Sequence, residues 1–177
     1  MRTYKRARIP GATYFFTVNL AERHGEALLT QHIHVLRAAF QDVMQKHPFT
    51  LVAIVVLPEH LHCIWRLPPE DSDFPMRWRL IKADFSRALA QTEPISASRV
   101  RKGERGIWQR RYWEHVLRDE LDLQRHLDYI HYNPVKHGYV ERASEWPHSS
   151  FQRYVERGYY PENWAAALDV IDLKLDE

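Results

Sequence analysis

Residues 49–67 read FTLVAIVVLPEHLHCIWRL. The first nine are almost continuously apolar and rich in β-branched residues, as expected of a strand covered on both faces. Pro58-Glu59 interrupts the run, because proline cannot donate to a ladder. His60–Leu67 resumes with β-forming residues, so the stretch predicts an antiparallel hairpin. Upstream, Tyr14–Leu20 (YFFTVNL) follows the turn signal Pro10-Gly11 and predicts another strand. Between them, residues 31–47 carry Leu36, Ala39, Phe40, Val43 and Met44 at helical spacing and stop at Pro48. Downstream, residues 75–91 place Trp78, Ile81, Phe85, Ala88 and Leu89 on one side of a helix. A basic loop over 92–106, a strand over Trp108–Leu117 and a helix over 119–133, ended near Pro134, complete the body. The order β-α-β-β-α-β-α predicts an α+β fold of the ferredoxin-like, split βαβ kind: an antiparallel sheet with helices on one face. Residues 1–145 read as one domain. Residues 146–177, with Trp146, Phe151, Tyr154, Tyr159, Tyr160 and Trp164, read as a C-terminal extension packing on it.

Composition narrows the function classes. The 177 residues are 45% hydrophobic and 27% charged, which suits one globular domain and argues against disorder. The strongest apolar run, Leu51–Leu57, is far short of the roughly 20 residues that cross a bilayer. No apolar stretch of signal-peptide length follows the basic residues Arg2, Lys5, Arg6 and Arg8. The single cysteine, Cys63, excludes an internal disulfide and a four-cysteine zinc site. A cytoplasmic protein is the expectation. The net charge of +2 hides an asymmetry: residues 1–118 hold 19 Lys+Arg against 11 Asp+Glu, and residues 119–177 hold 6 against 12. Arginine outnumbers lysine 19 to 6, and its planar fork suits phosphates and base edges. A basic body points to a polyanion partner, and the bland alternative is an unevenly charged solvated surface.

The hairpin also carries the first chemical signal, His60-Leu61-His62. Alternate residues of a strand point to one face, so the two imidazoles can converge on one metal ion while Leu61 faces the other way. Cys63 follows Leu61's alternation and is expected to be buried and inert. His32-Ile33-His34 has the same letters but falls in a predicted helix, where residues two apart diverge by about 200°. Context therefore singles out His60 and His62, although such a pair also occurs as an ordinary structural feature.

The second signal is the helix over 119–133. With Tyr129 at zero, Leu123, Leu127 and Ile130 fall at about 100–160° and form the expected buried stripe. Asp122, Arg125, His126, Tyr129, Tyr132 and Asn133 gather within about 60° of zero, a polar face centred on Tyr129. Asn133 follows Tyr129 by one turn, so the two can address one point. The competing reading is a solvated face with a surface tyrosine. Ionising a phenol at neutral pH costs roughly 4 kcal/mol, so a tyrosine nucleophile needs help. A divalent ion that neutralises phosphate charge supplies it, and an aryl phosphate ester keeps the bond energy needed to rejoin a strand.

The runs LPEHLHCIW (57–65), IWQRRYWEHVLRD (107–119) and HLDYIHYNPVKHGYV (126–140), with the later EWPHSSF (145–151), resemble the single-tyrosine HUH transposases, in particular the REP-associated branch. The resemblance spans roughly residues 4–165 and implies a catalytic tyrosine on a helix after the last core strand. It implies Tyr129 as nucleophile, and His60, His62 and a polar side chain one turn after the tyrosine as ligands of Mg²⁺ or Mn²⁺. Relatives often place glutamine there. Here the residue is Asn133, shorter and just before Pro134, which disfavours helical backbone at residue 133. Imidazole ligation suits Mn²⁺ better than Mg²⁺, and zinc is compatible too.

The implied activity is site-specific cleavage and rejoining of single-stranded DNA at repetitive extragenic palindrome (REP) hairpins through a 5′-phosphotyrosine. The implied setting is a bacterial, nucleoid-associated enzyme, with a monomer favoured over a dimer. The expected phosphate contacts are Arg77, Arg79, Lys82, Arg110, Arg111 and Lys136. The acidic extension is expected to compete with DNA, so that trimming after about Gly158 raises affinity or activity. Two alternatives stand beside this: a hairpin-binding protein without chemistry, and a metal-dependent phosphoesterase that uses water and has no need of Tyr129.

Overall fold

The computed structural model describes residues 7–21, 27–93 and 95–164. Its centre is a four-stranded antiparallel sheet in the order β2-β3-β1-β4. The strands are β1 (Thr13–Asn19), β2 (Thr50–Val56), β3 (His60–Arg66) and β4 (Trp113–Val116). A short turn α1 (Leu28–Gln31) leads into α2 (Ile33–Lys46), and α3 (Phe74–Ala88) and a turn α4 (Ala97–Val100) follow β3. After β4 come α5 (Glu120–Lys136) and α6 (Phe151–Glu156). The expected split βαβ order holds, with the predicted hairpin forming β2 and β3. Among the described residues, no helix is long and apolar enough to cross a membrane.

Strand parity builds two cores. Tyr14, Phe16 and Val18 of β1 join Leu61, Cys63 and Trp65 of β3 on one face. They pack on Leu36, Phe40 and Val43 of α2 and on Trp78, Ile81 and Phe85 of α3. Trp65 and Trp78 stack with ring centroids 4.3 Å apart at the centre of this layer. Each buried side chain of this size stabilises the fold by about 1.5–3 kcal/mol. The opposite face carries Phe15, Ala53, Val55 and Ile64, and α5 lies on it through Leu127, Tyr129 and Ile130. The two crossover helices thus share one face as expected, and the tyrosine helix takes the face to which His60 and His62 belong.

Two boundaries differ from the sequence reading, each for a physical reason. The strand expected over 108–117 is regular only over Trp113–Val116. Trp108 makes a lone bridge to Leu20, and the exposed Gln109, Arg110 and Arg111 separate it from the ladder. The basic loop is tied down by Arg105, whose guanidinium donates to the carbonyls of Ser86, Leu89 and Ala90 and pairs with Glu93. Finally, α5 does not end at Pro134. The proline removes one amide donor, yet His137 N still donates to Asn133 O at 3.0 Å, so the last turn survives. At its other end Asp119 caps α5, accepting from Asp122 N at 2.8 Å.

The chain after α5 packs back on the same face. Ala143, Phe151, Tyr154 and Tyr160 join the α5 core, with Trp146 and Trp164 partly buried against it. Its polar groups bond along β2. Tyr154 Oη donates to Val52 O, Ser150 N to Ile54 O and Trp146 Nε1 to Val56 O. Ile54 N donates to Ser150 Oγ and Val56 N to His148 O. Residues 165–177, the rest of the expected extension, lie outside the described residues, so the competition with DNA expected of that tail does too.

Candidate active site

The site starts with the pairing of β1 and β3. Register sets Thr17 opposite His62 and Asn19 opposite His60. Thr17 Oγ1 lies 2.8 Å from His62 Nδ1, a buried hydrogen bond that fixes the ring. It leaves Nε2 as the nitrogen available for another partner, and that buried atom has no hydrogen bond among the described residues. Burial, reinforced by His60, His137 and Lys136, pushes the His62 pKa well below the usual imidazole value. His62 is therefore neutral at pH 7, the form that ligates a metal. The His60 and His62 rings stand 5.0 Å apart, as the strand spacing requires.

Helix α5 lays Tyr129 against His62 and places Asn133 one turn further along. The Tyr129 ring lies 5.2 Å from His62 and 6.1 Å from Phe15, and the residue is 2% exposed. Asn133 is completely buried, and neither Oδ1 nor Nδ2 has a hydrogen-bond partner among the described residues. A buried amide left in this state costs about 1–3 kcal/mol per group, so natural proteins keep few of them without a reason. Of the stripe expected at Leu123, Leu127 and Ile130, Leu127 and Ile130 are buried and Leu123 only partly. Asp122, His126, Tyr129 and Asn133 of the polar face are buried as well, with His131, while Arg125 stays exposed. Tyr132, the other tyrosine of that face, is only half-buried.

The C-terminal turn of α5 adds two residues. Lys136 donates to Tyr129 Oη at 3.4 Å, with its Nζ 4.8 Å from the ring centroid. His137, which sequence reasoning missed, stands with its ring 5.2 Å from that of His60. Thr17 was missed as well, because only strand register reveals it. At the other end of α5, His115, Asp122 and His126 bring ligand-type atoms within 4.8 Å of one another. These atoms already bond among themselves: His115 Nε2 to Asp122 Oδ2 at 2.9 Å, and His126 Nδ1 to Asp122 O at 2.7 Å. Arg118 also donates to Asp122, so the cluster reads as a hydrogen-bond network anchoring β4 to α5.

The expected phosphate contacts divide. Arg77 is corrected: it is 2% exposed and cannot reach DNA. Its guanidinium donates to the carbonyls of His47, Pro48 and Asp73 and holds both Asp71 carboxylate oxygens, at 3.1 and 2.6 Å. Replacing it with methionine should lower unfolding stability by about 3 kcal/mol, since it strands buried carbonyls and a carboxylate. Urea unfolding measures this, and a midpoint equal to wild type would refute it. Arg79 is exposed on α3, on the face of the sheet away from the histidines. Lys82, on the same helix, donates to Gln109 O at 3.0 Å and stands over the Tyr112 ring. Arg110, which pairs with Glu104, and Arg111 line a shallow cleft with Arg99.

The model of the family described as "Transposase IS200 like" matches residues 13–133, from the start of β1 to the buried amide of Asn133. The chain belongs to the IS200-like transposase family. Within it, the chain is 47% identical over 177 residues to the REP-associated tyrosine transposase of Escherichia coli, covering all of this chain and 98% of the relative. A relative from Haemophilus influenzae is 43% identical over 171 residues, covering 96% of this chain and 97% of its own length. Among solved structures, a REP-associated tyrosine transposase bound to a REP hairpin superposes with a TM-score of 0.82 at 47% identity. That match covers 94% of this chain and 93% of the other. This member of the IS200-like transposases therefore shares fold and near full-length sequence with REP-associated tyrosine transposases.

Proposed function

We propose that this transposase is a site-specific endonuclease and strand transferase for single-stranded DNA, acting beside REP hairpins through Tyr129. The observation that carries the reading is the buried contact of Tyr129 with His62, with the buried Asn133 one helical turn on and polar atoms of His62 and Asn133 without a hydrogen-bond partner among the described residues. The hairpin-bound structural relative, close in sequence over nearly the whole chain, supports the choice of DNA.

In the proposed reaction the Tyr129 oxygen attacks a backbone phosphorus and loses its proton as the new P–O bond forms. The bond from phosphorus to the 3′-oxygen breaks, and that oxygen leaves as a 3′-hydroxyl. The DNA 5′-phosphate stays esterified to Tyr129. A free 3′-hydroxyl reverses these steps and restores the strand. His60, His62 and Asn133 would hold the divalent ion, Mg²⁺ or Mn²⁺. When bound, that ion neutralises phosphate charge and makes phosphorus more electrophilic. Thr17 keeps the His62 ring oriented so that Nε2 is the ligating atom. The close packing of α5 on the sheet holds Tyr129 in place and limits access of water to the ester.

The test uses purified protein, MnCl₂ and end-labelled hairpin oligonucleotides carrying single-stranded flanks. The expected products are one fragment ending in 3′-hydroxyl and one fragment covalently attached to protein. A free 5′-phosphate fragment in place of the adduct would identify hydrolysis by water and sink the proposal. Tight hairpin binding without cleavage would leave a binding module.

A further inference from the structure

Lys136 stands two helical turns after Tyr129, on the same side of α5. The residue is exposed, and its Nζ reaches back to lie 3.4 Å from Tyr129 Oη and 4.8 Å from the ring centroid. Two features of the helix make this reach possible. The turn beyond Pro134 stays helical, which keeps Lys136 in phase with Tyr129 and Asn133. The C-terminal end of a helix also favours a cation, which suits a lysine at this position.

We propose that Lys136 is a catalytic residue, its ammonium accompanying the Tyr129 oxygen through strand cleavage and rejoining. The proposal rests on the reading of Tyr129 as the nucleophile and deepens it. During attack the phenolic oxygen gives up its proton and carries part of a negative charge until the ester forms. A donor already aimed at that oxygen stabilises the charge without reorganising. On rejoining, the incoming 3′-oxygen displaces the same phenolic oxygen, which departs with the electron pair of the breaking P–O bond. The ammonium then faces a developing phenolate. One contact therefore serves both directions, as a reversible transfer requires. A cation that merely touched the DNA backbone would contribute to binding and leave the chemical step alone.

The two roles separate in a single-turnover assay with saturating hairpin DNA and MnCl₂. Wild type, Lys136→Met, Lys136→Arg and Tyr129→Phe are compared, with hairpin affinity measured by gel shift across a NaCl series. Lys136→Met is expected to slow adduct formation by about 10²-fold, while affinity changes less than about threefold. Rejoining from the isolated adduct should slow by a similar factor. Lys136→Arg, which restores a charged donor, should recover part of both rates. Melting curves of the variants confirm that the exposed position tolerates the changes. An unchanged rate at saturation, with weaker binding and a shallower salt dependence, would overturn the proposal and make Lys136 a phosphate contact. Equal loss in the methionine and arginine variants would overturn it as well. Cleavage that survives Tyr129→Phe would instead overturn the nucleophile itself, and Lys136's role with it.

Discussion

Tyr129→Phe is expected to abolish the covalent protein–DNA adduct and to cut strand cleavage by about 10⁴-fold or more, as removal of a nucleophile does in other covalent enzymes. The substitution deletes one oxygen and keeps the ring that packs 5.2 Å from His62 and 6.1 Å from Phe15. The fold should therefore survive with a stability change of about 1 kcal/mol or less, the worth of one hydrogen bond. Hairpin affinity should be nearly unchanged, because phosphate contacts and not the phenol carry binding. A denaturing gel beside a gel shift separates these effects. Residual adduct in the variant would move the chemistry to another residue, with Tyr132 the first to examine.

The second large effect concerns the proposed metal ligands. His62→Ala, or removal of divalent ions by EDTA, is expected to eliminate cleavage while hairpin binding persists. The argument runs through Nε2 of His62 and the amide of Asn133, buried polar atoms with no hydrogen-bond partner among the described residues. Burial keeps His62 neutral, so its lone pair is available at pH 7. A finer version uses Thr17→Val, which retains shape and removes the hydrogen bond to Nδ1. Loss of such an orienting contact weakens metal affinity by about 10–100-fold. Mn²⁺ titration followed by electron paramagnetic resonance measures that affinity without reference to cleavage. Equal Mn²⁺ affinity in wild type and Thr17→Val would refute the orienting role. Full cleavage in EDTA would refute the metal requirement.

How much of this was legible in the sequence depends on the range of the interaction. The hairpin of β2 and β3 was readable because an apolar run, a proline and a second β-rich run are local signals. Parity along β3 then placed His60 and His62 on one face, with Leu61 and Cys63 on the other, as found. Helical phase put Tyr129 and Asn133 together. It could not say that much of the polar face was buried as well, since that depends on what the sheet presents. Thr17 was invisible because it meets His62 across 45 residues of sequence. Arg77 was misread because a charge count cannot see three backbone carbonyls and a carboxylate converging on one guanidinium. Pro134 was taken as a stop, whereas a helix held from outside tolerates the loss of one donor.

The bonds between the C-terminal segment and β2 carry a different kind of consequence. β2 is the outermost strand on its side of the sheet, and such a margin is a template on which another chain can add a strand. Trp146, His148, Ser150 and Tyr154 take up Val52 O, both backbone groups of Ile54 and both of Val56. Those are the atoms an intruding strand would need. Residues 146–154 thus act as a guard against intermolecular strand addition, a duty separate from any dealings with DNA. A chain cut before Trp146 would lose that guard and expose an apolar margin prone to aggregation, whatever it gained or lost in activity.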